Sequence, residues 1–157
     1  MAIDATFDLA LSLAPAQSEA GIDHAGLENA RLQRVIDSLP DTRYARALAI
    51  GAGPALCRKL SRFCDSLATN PDAERIRSGR IELMVVCDAL TGADAASLAQ
   101  IAQHCVSALQ PGGHLVLVNW LDADSAAAAV IDAAGANLQP ISRQRTPHYR
   151  VDVLERA

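Results

Sequence analysis

Apolar residues recur along this chain in two periods, and the period changes near residue 45. Between Asp23 and Leu39, the residues Leu32, Val35, Ile36 and Leu39 fall at i, i+3, i+4 and i+7. That spacing puts one apolar stripe on a helix, and Pro40 ends it. Beyond it, short apolar runs alternate with amphipathic stretches. "ARALAI" (45–50) reads as a strand entering Gly51, and Pro54 to Phe63 as a helix with Leu56, Leu60 and Phe63 on one side. "SLAT" (66–69) is a short second strand. "NPDAERIRSG" (70–79) reads as one or two helical turns between Pro71 and Gly79. "RIELMVV" (80–86) is a strand. The next helix carries the stripe Leu98, Ile101, Ala102, Cys105 and Leu109, with Thr91-x-x-Asp94 resembling a capping box before it and "PGG" (111–113) breaking it. "HLVLVNW" (114–120) is continuous enough to be buried on both faces. Asp122 to Ala134 is an alanine-rich helix stopped by Gly135. "LQPISRQR" and "HYRVDVLER" read as an antiparallel pair around Thr146-Pro147. Ahead of all this, "ATFDLALSLAP" (5–15) reads as a short helix stopped by Pro15, and "AQSEAG" as a loop.

Strands that alternate with helices imply an α/β fold with a mostly parallel sheet and helices on both faces. With 157 residues, one domain is expected over 1–157, an N-terminal helical segment (1–40) leading into a core (41–157). Composition narrows the function. Aromatics make up 3% of the chain, too few for a base-stacking nucleic-acid platform. The net charge of −4 disfavours a polyanion partner. No apolar run approaches the roughly 20 residues that span a bilayer, and no basic segment precedes an apolar one at the start. A cytoplasmic protein without membrane or nucleic-acid partners is expected. Cys57, Cys64, Cys87 and Cys105 form no CxxC pair and no zinc spacing; each reads as a reduced, buried small hydrophobe, and no metal is expected.

The strand–Gly-x-Gly–helix near residue 50, the block Leu109 to Trp120 and the closing hairpin carry a family resemblance. So do Arg43-Tyr44-Ala45-Arg46-Ala47-Leu48 and Cys64-Asp65-Ser66-Leu67-Ala68. Over residues 25–157 the chain looks like a class I S-adenosylmethionine-dependent methyltransferase, and is similar to the nodulation protein S type of N-methyltransferase. The resemblance implies a Rossmann-like methyltransferase fold, here shortened by about one strand–helix unit. It implies S-adenosylmethionine held around Gly51, Ala52, Gly53 and Pro54, by Asn70 or Asp72, and by Asp88.

The departures from the family pattern bear on activity. Ala49 stands where the family has an acidic residue for the methionine end, Ala55 replaces the third glycine, and Asn70 falls where an acid meets the ribose hydroxyls. "ALTGAD" follows Cys87-Asp88 where the subtype often has aromatics. A hydrogen bond to a charged group contributes about 1.5–3 kcal/mol. Two lost contacts then cost about 3–6 kcal/mol, on the order of 10²–10⁴ in affinity. S-adenosylmethionine is therefore expected to bind weakly or not at all. Gly51 and Gly53 have a purely structural use as well, because a tight strand-to-helix turn asks for glycine.

The remaining candidates are sparse. His24, His104, His114 and His148 are scattered, and no G-x-S-x-G elbow exists, so no catalytic residue is assigned. Glu74, Arg75, Arg77 and Arg80 read as a solvated helix face. Arg143, Arg145 and Arg150 give the last hairpin a basic bias suited to a protein contact. Trp120, ending a central strand, faces either a ligand or the core. If the family's third strand is absent, the second becomes a sheet edge, and edges are covered or paired. A homo-oligomer or a hetero-complex with another protein is expected, the cofactor side of the sheet taking part in contact. The leading expectation is a non-catalytic, degenerate methyltransferase-like subunit, scaffold or regulator. The alternative is an active methyltransferase on a small amine or other small acceptor, and a third is the same crevice reused for another ligand.

Overall fold

The computed structural model describes residues 24–69 and 80–157. Helix α1 (His24–Ser38) buries Leu32 and Val35, the centre of the stripe read from sequence, with Leu27 and Ile36 packed beside them. Strand β1 (Tyr44–Ile50) follows, then α2 (Pro54–Ser61), which turns Leu56 and Leu60 inward. Proline serves the first turn of α2 well, because its missing N–H has no helical acceptor there. Strand β2 (Cys64–Thr69) lies beside β1 in parallel, from Tyr44 opposite Cys64 to Ala49 opposite Thr69. Only residues 70–80 separate it from β3 (Ile81–Cys87); the helical turns expected over 70–79 fall outside the described residues.

Helix α3 (Ala95–Ala108) buries Leu98, Ile101, Ala102, Cys105 and Ala108. Its cap is Asp94 rather than Thr91. The Asp94 carboxylate accepts from the Ser97 N–H at 2.8 Å, which satisfies one of the donors a helix start leaves unpaired and holds the carboxyl below its ordinary pKa.

The Pro-Gly-Gly break is also relocated. It lies inside β4 (Leu109–Trp120) rather than ahead of it. The pairing moves from Ile81 opposite Leu109 to Leu83 opposite His114, so β4 carries the extra residues as a bulge. Gly112 takes φ +81, and a Cβ on Gly113 would lie 2.9 Å from the Gln110 carbonyl oxygen. Glycine here permits the bulge instead of ending the strand.

A 3₁₀ turn (Leu121–Ala123) leads into α4 (Asp124–Ala134), two residues later than the periodicity suggests, and Gly135 at φ 57 ends it. Strands β5 (Leu138–Arg145) and β6 (Tyr149–Arg156) close the chain as the expected antiparallel pair. Thr146 Oγ1 accepts from the Tyr149 N–H at 3.0 Å and fixes the turn between them.

The sheet order is β2-β1-β3-β4-β6-β5. The four strands from β2 to β4 are parallel, and β6 pairs antiparallel with both β4 and β5. Side-chain alternation splits the core in two. Leu48, Ile50, Met84, Val86, Leu115 and Leu117 face α3 and α4. Ala47, Ala49, Leu83, Val85, Val116 and Val118 face α1 and α2. The chain leaves β1 towards β2 on one side and reaches β3 on the other. In such sheets a crevice opens at the carboxyl ends of the strands where the order reverses, here the ends of β1 and β3. Among the described residues no helix is long and apolar enough to cross a membrane.

Candidate ligand crevice

Gly51 leaves β1 with φ +73, and a Cβ there would collide with the Cys87 carbonyl. The turn needs glycine whether or not a ligand is present. Gly53 is different. Its φ is −78, it has no side-chain cap to make, and a Cβ on it would meet nothing within 4 Å. Ala52 between them packs against the α1/α2 side of the core.

Opposite this loop, β3 ends in Cys87-Asp88. Asp88 takes φ 55, a left-handed backbone that Asp tolerates better than most residues, and its N–H donates to the Val118 carbonyl at 2.9 Å. Its carboxylate receives two hydrogen bonds of 2.6 Å from Arg31 Nη1 and Nη2 on α1. Arg31 also donates from Nε and Nη2 to the Glu28 carboxylate at 3.1 and 3.0 Å. The guanidinium carbon sits 4.1 Å from the centre of the Trp120 ring. That ring meets Tyr149 edge-on at 6.4 Å. Arg31 is thus buried, with 2% of its side chain exposed against 13% for Asp88. Burial alone would lower the pKa of Arg31, but the hydrogen bonds and charge of Asp88, with Cys87 and Glu28 adding, outweigh it and raise it. The Cys87 thiol is pushed well up, first by burial and then by the charge of Asp88.

What remains open is a cleft of about 290 Å³ lined by Glu28, Arg31, Gly51, Gly53, Asp88 and Trp120 among others. Ligand pockets commonly run from about 300 to 1,000 Å³, so it stands at the lower limit. The residues expected from sequence at Gly51, Gly53, Pro54 and Asp88 do converge here. Asn70 and Asp72 lie outside the described residues. Trp120 does both things weighed for it: it lines the cleft and packs against the core.

S-adenosylmethionine carries an ammonium and ribose hydroxyls, which call for carboxylate acceptors. At this crevice Ala49 offers none and is fully buried, and the carboxylates of Asp88 and Glu28 that line the cleft both accept from Arg31. Only the open cradle at Gly53 suits the cofactor. The described residues do not otherwise fit it.

Arg31 was the residue hidden from pattern reading. Its signal is nevertheless present: Leu27, Arg31 and Val35 follow at i+4 spacing, so an arginine occupies a position of the apolar stripe. Glu28 precedes it at i, i+3.

Other expectations resolve away from the crevice. His114 is buried at the opposite end of the sheet, its Nδ1 3.1 Å from Tyr44 Oη, while His104 and His148 are exposed. The basic hairpin is corrected: Arg150 is buried and donates to Asp152 at 2.6 Å and Asp124 at 2.9 Å, Arg143 donates to Asp152 at 2.9 Å, and Arg145 lies 3.6 Å from Asp124. The hydrogen bond from Arg150 holds the Asp124 carboxyl below its usual range. Two acids, Asp152 and Asp124, offset part of what the local sequence presents as a basic patch, while Arg143 and Arg145 stay exposed.

Among the described residues no group of three or more potential ligands could hold a metal ion. All four cysteines are free, with Cys64, Cys87 and Cys105 buried and Cys57 half-buried. Burial pushes the Cys105 thiol up to about 12. A disulfide reagent such as Ellman's is expected to modify Cys57 alone in the native chain and the other three only on unfolding, because the thiolate is the reactive species. Rapid native reaction of more than one thiol, counted by absorbance, would contradict this packing.

The fold is a Rossmann-like one, shared with solved structures of S-adenosylmethionine-dependent methyltransferases. Three solved structures illustrate it. The N-methyltransferase NodS from Bradyrhizobium japonicum WM9 matches over 86% of this chain and 99% of its own, at 19% identity and a TM-score of 0.69. NodS in complex with S-adenosyl-L-homocysteine matches at 18% identity, covering 82% of this chain and 87% of that one, with a TM-score of 0.67. A SAM-dependent methyltransferase from Leishmania major covers 98% of this chain and 83% of its own, at 14% identity and a TM-score of 0.66. At such identities the likeness establishes the fold. No family model matches the sequence, and no curated protein matches it significantly.

Proposed function

We propose that this chain is a shortened, degenerate methyltransferase-like protein that works without catalysis, as a subunit, scaffold or regulator in a protein complex. One observation carries the reading: Arg31 of α1 lines the cleft, forked onto Asp88 and stacked on Trp120. The carboxylate best placed to receive a cofactor is spent inside the protein. To bind S-adenosylmethionine the chain must break two charge-assisted hydrogen bonds, which are about twice as strong as neutral ones, and Ala49 supplies no replacement acid. The complex itself is proposed from β2. Among the described residues it is an edge strand, with Asp65, Ser66, Ala68 and Thr69 exposed, and edges invite pairing.

A second reading, an active methyltransferase on a small amine or other small acceptor, is favoured by Gly53. Nothing in the fold requires glycine there, and the space beside it is open. NodS, an N-methyltransferase, has been solved with S-adenosyl-L-homocysteine bound.

Thermal shift separates the two. A ligand at 100 times its dissociation constant stabilises a fold by about 2.7 kcal/mol. The non-catalytic reading expects no shift with S-adenosylmethionine or S-adenosylhomocysteine at millimolar concentration. A clear shift at micromolar ligand overturns it. Light scattering addresses the complex: a monomer at all concentrations with no co-purifying partner counts against the assembly.

A further inference from the structure

We infer that the crevice mouth is a binding site for a guanidinium group, and that Arg31 is its occupant in cis. The inference rests on the reading above, that a cofactor does not hold this crevice. The receptor is built by the sheet and not by the helix that brings the ligand. Asp88 directly follows β3, and its backbone N–H donates to the Val118 carbonyl, which anchors the residue to the sheet. It offers both oxygens, each 2.6 Å from a different Arg31 nitrogen, a fork meeting a fork. Trp120 ends β4 and supplies the flat face, 4.1 Å from the guanidinium carbon. Tyr149 stands opposite Trp120 in the β4–β6 ladder and meets its ring edge-on, which holds the face in position.

A carboxylate fork at right reach from an aromatic face selects a planar, delocalised cation. An ammonium lacks the second parallel hydrogen bond and the flat surface to stack. The ligand class is therefore a guanidinium, as an arginine side chain presents it. Glu28 belongs to α1 itself, so it secures Arg31 without forming part of the receptor. When α1 is seated the site is filled; a chain whose α1 lacks the arginine presents the same site to an outside guanidinium.

The test uses the full chain and its single tryptophan, Trp120, as reporter. Arg31→Ala empties the site, and Arg31→Met empties it while keeping an unbranched stem near the ring. Each is titrated with methylguanidinium, with methylammonium and with sodium chloride at matched ionic strength. The expected result is a saturable change in Trp120 emission with methylguanidinium in both variants and none in the native chain. Methylammonium should bind about tenfold more weakly or worse, since it forfeits one charged hydrogen bond. Adding Asp88→Asn should abolish the response. If the variants are unfolded alone, methylguanidinium must raise their folded fraction, read by circular dichroism. Absence of any saturable or refolding response in both variants overturns the inference, as does an equal response to methylammonium or in the native chain. Titration of the native chain with S-adenosylhomocysteine is a separate arm. Binding there would unseat the functional reading, whatever methylguanidinium does to the variants.

Discussion

Arg31→Met should lower unfolding stability by about 3 kcal/mol, the lower end of the cost of breaking a buried pair. The loss comes mainly from what remains behind. Asp88 is 13% exposed, and without Arg31 its charge has no forked partner at the crevice. Asp88→Asn should cost less, because Arg31 keeps Glu28 as a charged partner and Asn also tolerates the left-handed backbone at φ 55. In the double variant neither charge remains, so the two losses should overlap, with a coupling of about 1–3 kcal/mol in a double-mutant cycle. Denaturant melts with unchanged slope provide the measurement. A loss under about 0.5 kcal/mol for Arg31→Met would mean that the pair does not form in solution. The same variant should leave Trp120 more accessible to an external quencher, since the guanidinium covers one face of its ring.

The two glycines of the loop should part company. Gly51→Ala forces a Cβ into the Cys87 carbonyl at a backbone of φ +73, and should cost more than about 3 kcal/mol or prevent folding. Gly53→Ala introduces a methyl group into open space at an ordinary backbone angle, and should change stability by less than about 1 kcal/mol. Paired thermal melts check both. Equal losses at the two positions would mean that the crevice wall is packed differently. The contrast separates a glycine that the turn requires from one that caps α2 beside open space.

Most of the architecture was legible because the chain states it locally. The continuous apolar run at 114–120 reads as a strand buried on both faces, and it lies centrally between β3 and β6. The i, i+3, i+4 stripe through Leu32 and Val35 did find the buried face of α1. What escaped depends on contacts between distant residues. Pro111-Gly112-Gly113 reads as a break, yet the bulge against Ile81 and Leu83 absorbs it within β4. The hairpin arginines look like a basic surface until Asp124, on a different element, is brought to Arg150 and Arg145. Arg31 is the sharpest case. A lone arginine on a helix is ordinarily solvated, and only the partner fifty-seven positions away, Asp88, makes its burial tolerable. The glycine loop is a local motif, whereas the arginine that pairs with Asp88 lies on α1, outside the family motifs.

The state of the Arg31 guanidinium tests the central claim most directly. In a chain carrying ¹⁵N-arginine, assigned by difference against Arg31→Met, the Arg31 side-chain protons should be resolved and slow to exchange. They should stay so when S-adenosylhomocysteine is added to millimolar concentration. Fast, averaged side-chain protons in the free protein, or shifts that saturate at micromolar S-adenosylhomocysteine, would contradict a crevice whose carboxylate is held by its own arginine.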